Sequence, residues 1–347
     1  MLKNNNNNNN NRQNTKLRSR RIKALTSLVT SNDYATCSET YAPPPPLPLP
    51  TSANNFDLDI AIDLMQLCVY TYVQYQNDDT WTIPAPYKIK QKFYVYEIQN
   101  DNISKEVPFG FIATKDDNKD IYVCFRGTRG APEWKNDATI ELVPCSFLSG
   151  QDIKVHKGFQ DEYTVNNDFK GSLQKQVLDY LNSLPNFPSS YDNLWVTGHS
   201  LGAALATLAV ADIVNNTIHT GAKMYNFGSP LVGNQSFVDF FKSKIGTSNC
   251  NTANNSLDNS CSWRVVNIND AVPTIPPPRL GYVHVDGCSG PYVCNNVNND
   301  NKNNGLFEIN FADKCDDLFT DVVCFGNAHK ADNYLIKLKS IQSMSTK

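Results

Sequence analysis

Gly198-His199-Ser200-Leu201-Gly202 constrains the fold of this chain more than any other stretch. A strand-like Leu194-Trp195-Val196-Thr197 runs into it, and a small-residue helical pattern, Gly202–Val214 (GAALATLAVADIV), runs out of it. A serine bracketed by glycines between a strand and a helix is the nucleophile-elbow arrangement. The turn is too sharp for side chains at the flanking positions, and it lifts the serine hydroxyl to the carboxyl end of a sheet above a helix N-terminus. The bland alternative is a Gly-rich turn with a buried serine, and the flanking strand and helix argue against it. The helix is so rich in Ala that it must lie close against a sheet.

The remaining patterns fit that sheet. Phe56–Tyr75 reads as a buried helix, then Phe93–Ile98, Phe109–Thr114 and Ile121–Phe125 as strands. Phe169, Leu173, Val177, Leu181 and Leu184 form an amphipathic stripe that Pro185 ends. Strands follow at Ala222–Phe227 and Trp263–Ile268. Strands alternating with helices predict an α/β fold with a mostly parallel central sheet and helices on both faces.

The chain has 347 residues, which a length prior would divide in two, but the texture changes only once. Residues 1–54 are a lead expected to be disordered, with the eight-residue run Asn4–Asn11 and the spacer Pro43–Pro50 (PPPPLPLP). Residues 55–347 are expected to be one domain, with Asn295–Asn304 a low-complexity surface insertion. Residues 1–30 carry seven basic side chains and no acid, so a formal net charge of −3 leaves −10 on the rest. A body this acidic argues against nucleic-acid binding. No apolar run approaches the roughly 20 residues of a membrane-spanning helix.

The basic lead has the Arg-rich, acid-free texture of a mitochondrial presequence, but a solvated tail fits it better, and it makes a poor secretory signal. Six of the ten cysteines crowd the C-terminal third as Cys250/Cys261, Cys288/Cys294 and Cys315/Cys324. Pairing between these neighbours would suit an oxidising, secreted or endolysosomal compartment, whereas the missing signal points to the cytoplasm. Cys68 and Cys124 lie within apolar runs and read as small buried hydrophobes. No CxxC occurs and the few His lack zinc-site spacing, so no metal is expected.

GHSLGAALA at Gly198–Ala206 resembles the elbow of the class 3 lipases, the filamentous-fungal triacylglycerol lipase family within the α/β-hydrolases. Other blocks agree in order: Phe125-Arg126-Gly127-Thr128 with Trp134 downstream, Val155-His156-Lys157-Gly158-Phe159, and Asn226-Phe227-Gly228-Ser229-Pro230 with Val232-Gly233-Asn234. Val266-Asn267-Ile268-Asn269-Asp270 with Val272-Pro273 completes the series.

In this fold the acid and then the base follow the serine. Asp270 ends a strand before a Pro-rich turn and is chosen over Asp212 and Asp239, which read as solvent-facing on helical segments. His329 lies in a polar turn before a C-terminal helix, the context in which the family carries its base. Its rival His284 sits in the β-rich Tyr282–Val285 run and reads as structural, and His219 reads as a surface residue. Catalytic Ser200, Asp270 and His329 are thus expected on the elbow Gly198, His199 and Gly202. The backbone of Leu201 is one oxyanion donor, and the resemblance supplies Thr128 as the other.

Residues 129–145 occupy the place of the family's amphipathic lid helix, with Trp134, Ile140 and Leu142 as its apolar residues. The polar Lys135-Asn136-Asp137 between them thins that face, which lends weight to a soluble-ester hydrolase of the feruloyl-esterase kind. The resulting expectation is a cofactor-free, monomeric serine lipase acting on acylglycerol esters at a lipid–water interface. A non-lipid esterase and a catalytically idle interaction protein are the alternatives.

Overall fold

The computed structural model describes residues 56–345 apart from 100–102, 117–118, 129–139, 151, 167–169, 185–190, 246–260, 268–269, 271, 286–290, 297–305 and 312–328. The lead 1–54 thus lies outside the described residues. Ten strands are described: β1 (Tyr87–Gln99), β2 (Ile103–Lys115), β3 (Asp120–Phe125), β4 (Leu142–Pro144), β5 (Lys154–His156), β6 (Asn193–His199), β7 (Lys223–Phe227), β8 (Ser262–Asn267), β9 (Pro291–Asn296) and β10 (Leu306–Phe311). Between and around them run helices α1 (Leu58–Asn77), α2 (Lys157–Thr164), α3 (Leu173–Ser183), α4 (Leu201–Asn216), α5 (Gln235–Lys244) and α6 (Ala331–Ser345).

Eight strands form one sheet in the order β1-β2-β3-β6-β7-β8-β9-β10, and β4 pairs with β5 apart from it. The centre, β3 through β9, is parallel, while β1, β2 and β10 join antiparallel at the edges. This is the α/β-hydrolase fold. Its central strands are buried on both faces, and their side chains alternate between two cores. Ile121, Val123, Phe125, Leu194 and Val196 enter the core that packs on α2, α3, α4 and α5. Tyr122, Cys124, Trp195, Tyr225 and Phe227 enter the opposite core under α1 and α6. Among the described residues, no helix is long and apolar enough to cross a membrane.

Local sequence explains the helix starts. Ser172 caps α3, its side chain accepting from the Lys175 N–H at 3.1 Å. The stripe of that helix therefore begins at Leu173, and Phe169 lies outside the described residues. Asp57, His156 and Asn234 cap α1, α2 and α5 in the same way. Cys68 and Cys124 are buried thiols, as their apolar runs imply, and Cys261 is disulfide-bonded.

Four sequence readings need correction. Asp212 is fully buried and accepts from Tyr163, Gln174 and Asn216, because α4 is covered through Val214 and offers that residue no solvent face. His219 is also buried, with Nε2 3.1 Å from the Leu181 carbonyl. The Tyr282–Val285 run forms no strand; only Val283 makes an isolated bridge, to Gly233. Asn295 and Asn296 belong to β9, where backbone pairing with β10 holds them, and the rest of the expected insertion, 297–304, lies outside the described residues.

Candidate active site

Ser200 sits between β6 and α4 with φ 62° and ψ −128°, a region that non-glycine residues rarely occupy. Its N–H donates to the Phe227 carbonyl at 3.0 Å, which ties the turn to β7. The bracketing glycines are required by close approach. A Cβ on Gly198 would lie 2.1 Å from the Gly202 oxygen, and one on Gly202 would lie 2.4 Å from the Phe125 oxygen. Leu201 begins α4, so its N–H belongs to the first turn, where backbone donors lack intrahelical acceptors.

Three chain segments converge on the hydroxyl. His329 Nε2 is 2.7 Å from Ser200 Oγ, and His329 Nδ1 is 2.6 Å from Asp270 Oδ2. Asp270 follows β8, its side chain is fully buried, and its Oδ1 accepts from the Val272 N–H at 2.9 Å. Tyr334 of α6 adds a donor that the sequence reading missed, its hydroxyl lying 2.7 Å from Asp270 Oδ2 while accepting from the Asn267 N–H at 2.9 Å. Burial, and next the Asp270 charge, push the Tyr334 pKa well above its ordinary value, so it remains a donor.

His199 packs its ring 4.7 Å from that of His329, tilted by 33°. Its Nδ1 lies 2.8 Å from the hydroxyl of Tyr72 on α1, a second residue that sequence reasoning missed. Its Nε2 is buried without a hydrogen-bond partner among the described residues. Burial, and then the neighbouring His329, hold its pKa well below the usual imidazole range, so His199 is a neutral wall for the site. No sequence pattern marks Tyr72, because α1 contributes many aromatic residues and only the fold shows which of them reaches the elbow.

Thr128 follows β3, and its Oγ1 is buried without a hydrogen-bond partner among the described residues. The rival histidine is elsewhere: His284 is buried, with Nε2 2.6 Å from the Pro273 carbonyl. Burial pushes its pKa well down, and the Arg264 charge adds to this. His156 in the VHKGF block caps α2 and stacks on Phe159, and burial lowers its pKa to about 4. Of the lid residues, Trp134 lies outside the described residues and Ile140 is exposed. Leu142 is a correction: it belongs to β4, paired with His156 of β5, because the extended Leu142-Val143-Pro144 finds a strand partner there.

Residues 122–280 match the family model of the class 3 lipases. A phospholipase A1-II 1 from Oryza sativa subsp. indica is 31% identical over 210 residues, covering 53% of this chain and 49% of that protein. A lipase from Rhizomucor miehei is 32% identical over 176 residues, covering 50% of this chain and 42% of that lipase. The chain thus spans about half the length, or less, of these curated relatives. In fold it is similar to the mono- and diacylglycerol lipase from Aspergillus oryzae, with a TM-score of 0.55 at 23% identity over 81% of this chain and 99% of that one. The elbow, the sheet and the 122–280 match agree, and over that stretch the chain is similar to the class 3 lipases.

Proposed function

We propose that this chain is a serine carboxylester hydrolase, a lipase that cleaves acylglycerol esters through an acyl-enzyme, with residues 55–347 as its catalytic unit. The observation that carries the proposal is His329, whose Nε2 lies 2.7 Å from Ser200 Oγ while its Nδ1 lies 2.6 Å from buried Asp270. In this reading His329 takes the hydroxyl proton as Ser200 Oγ bonds to the ester carbonyl carbon, and Asp270 holds the imidazole tautomer and offsets its charge. The oxyanion is met by the N–H groups of Leu201 and Thr128, and the buried Thr128 hydroxyl assists. Collapse breaks the acyl–oxygen bond and His329 returns the proton to the departing alcohol. Water, activated by the same imidazole, then releases the fatty acid.

The class 3 lipase match over residues 122–280 supports the lipid substrate, as do the matched phospholipase and lipase. A fluorophosphonate should label the protein, and Ser200→Ala should abolish the label. Labelling that survives Ser200→Ala would overturn the proposed nucleophile. A series of acylglycerols of graded chain length, assayed above and below their aggregation points, tests the substrate. Turnover confined to dissolved short-chain esters would move the assignment to a soluble esterase.

A further inference from the structure

Arg126 is the one charged residue among the largest fully buried side chains of the described residues. A cation withdrawn from water needs strong compensation, and its position shows what it serves. Its guanidinium lies 4.2 Å from the ring centroid of Tyr75 and 4.5 Å from that of Phe109. Its Nε donates to the Pro108 carbonyl at 3.1 Å, and its Nη1 donates to the Gly127 carbonyl at 2.8 Å.

The second bond bears on chemistry. The Gly127 carbonyl and the Thr128 N–H belong to one peptide unit, which is trans, so the two groups point in opposite directions from a rigid plane. That peptide adjoins the elbow: a Cβ on Gly127 would lie 2.5 Å from the His199 oxygen and 3.0 Å from Ser200 Cβ. A guanidinium fixed on the carbonyl side therefore sets where the N–H points. A charge-assisted bond to the carbonyl also polarises the amide and strengthens its N–H as a donor.

We infer that Arg126 is a positioning residue, which aims and polarises the Gly127–Thr128 peptide toward the oxygen that becomes anionic at Ser200. The inference rests on the proposed ester hydrolysis and concerns how its oxyanion donor is held. Arg126 never touches substrate. It works from the far side of the peptide, where the two aromatic rings and the Pro108 carbonyl keep its fork from turning.

The test uses the full chain, with kcat expressed per serine titrated by a fluorophosphonate, so that losses of folded protein drop out. Arg126→Lys keeps the charge but lacks the planar fork whose Nε and Nη1 meet the two carbonyls separately. It should lower kcat about tenfold, short of the two to three powers of ten that follow loss of a whole donor. KM should stay within about twofold, and affinity for an alkyl boronic acid, whose tetrahedral adduct on Ser200 presents an oxygen to the same donors, should fall by the same factor as kcat. A role confined to packing would change the melting temperature and the titratable fraction, leaving kcat per site and boronate affinity as in the parent. That result would overturn the inference.

If Arg126→Lys yields no folded protein, Tyr75→Leu removes one of the two flanking rings and should produce a smaller but matched fall in kcat and boronate affinity. Unmatched or unchanged values there overturn it equally. A parent protein that neither labels nor hydrolyses any ester would sink the proposed function itself, and is distinguishable because no variant is involved.

Discussion

One oxygen of Asp270, Oδ2, faces both His329 Nδ1 at 2.6 Å and the Tyr334 hydroxyl at 2.7 Å. The carboxylate is thereby fixed from the side of α6, five residues beyond the histidine it serves. Tyr334→Phe keeps the buried ring and removes the donor. It should cost about 1.5–3 kcal/mol of stability, the usual worth of a hydrogen bond to a charged group. Turnover should fall about tenfold through a less fixed imidazole. Urea unfolding and kcat check the two effects separately, and an unchanged kcat would reduce Tyr334 to a packing role.

The positive φ of Ser200 stores conformational strain. Glycine relieves it and alanine does not, although glycine loses more entropy on folding. Ser200→Gly should therefore be more stable than Ser200→Ala by about 1 kcal/mol, with both inactive. Equal urea midpoints for the two variants would argue that the elbow is unstrained.

His329→Ala should abolish turnover and also lose some stability, since its side chain is 15% exposed and its bond to buried Asp270 is removed. His284→Ala should lose about 1–3 kcal/mol of stability, through its broken bond to Pro273 and the cavity left behind. Activity per folded molecule should persist. The reverse pattern would mean that His284 is the base.

Acid should destabilise the protein through its buried histidines. His156, His199, His219 and His284 all have pKa values lowered chiefly by burial, so the unfolded chain binds more protons than the folded one below pH about 6.5. Stability is fully present above that pH and falls as pH drops toward the folded values, about 4 for His156. Asp212 acts in the opposite sense, because burial raises its pKa and the folded state then gains on protonation. Four groups against one predict net loss, read as the slope of unfolding free energy between pH 6.5 and 4.5. A flat slope would show that these rings are hydrated in solution.

What could be read from sequence was local or ordinal. The elbow announced itself because a strand pattern, two glycines and an Ala-rich helix must be contiguous, and chain order then narrowed the search to a few acids and three histidines. What escaped depended on tertiary contacts. Asp212 reads as solvent-facing because a helix is expected to have a wet side, but α4 is enclosed through Val214. Leu142 reads as part of a helix because its strand partner, His156, lies 14 residues away. Tyr334 and Tyr72 reach the site across the fold and leave no periodic trace. Arg126 did leave one, a cation at the end of the buried run Ile121–Phe125, where a lone charge is expensive enough to invite the question of its use.

The packing of α6 against α1 gives the site a temporal logic. Leu335, Leu338 and Ile341 share a core with Ala61, Leu64 and Met65, and Lys339 and Gln342 reach Gln66 and Asp59 across the seam. The elbow and the acid lie on the sheet, but the base sits just ahead of the helix that meets the first. In the proposed mechanism, Ser200 lacks a partner to take its proton until α6 has docked on α1. The proposed hydrolysis would then be silent in a partly folded chain and begin only once the molecule has closed on itself.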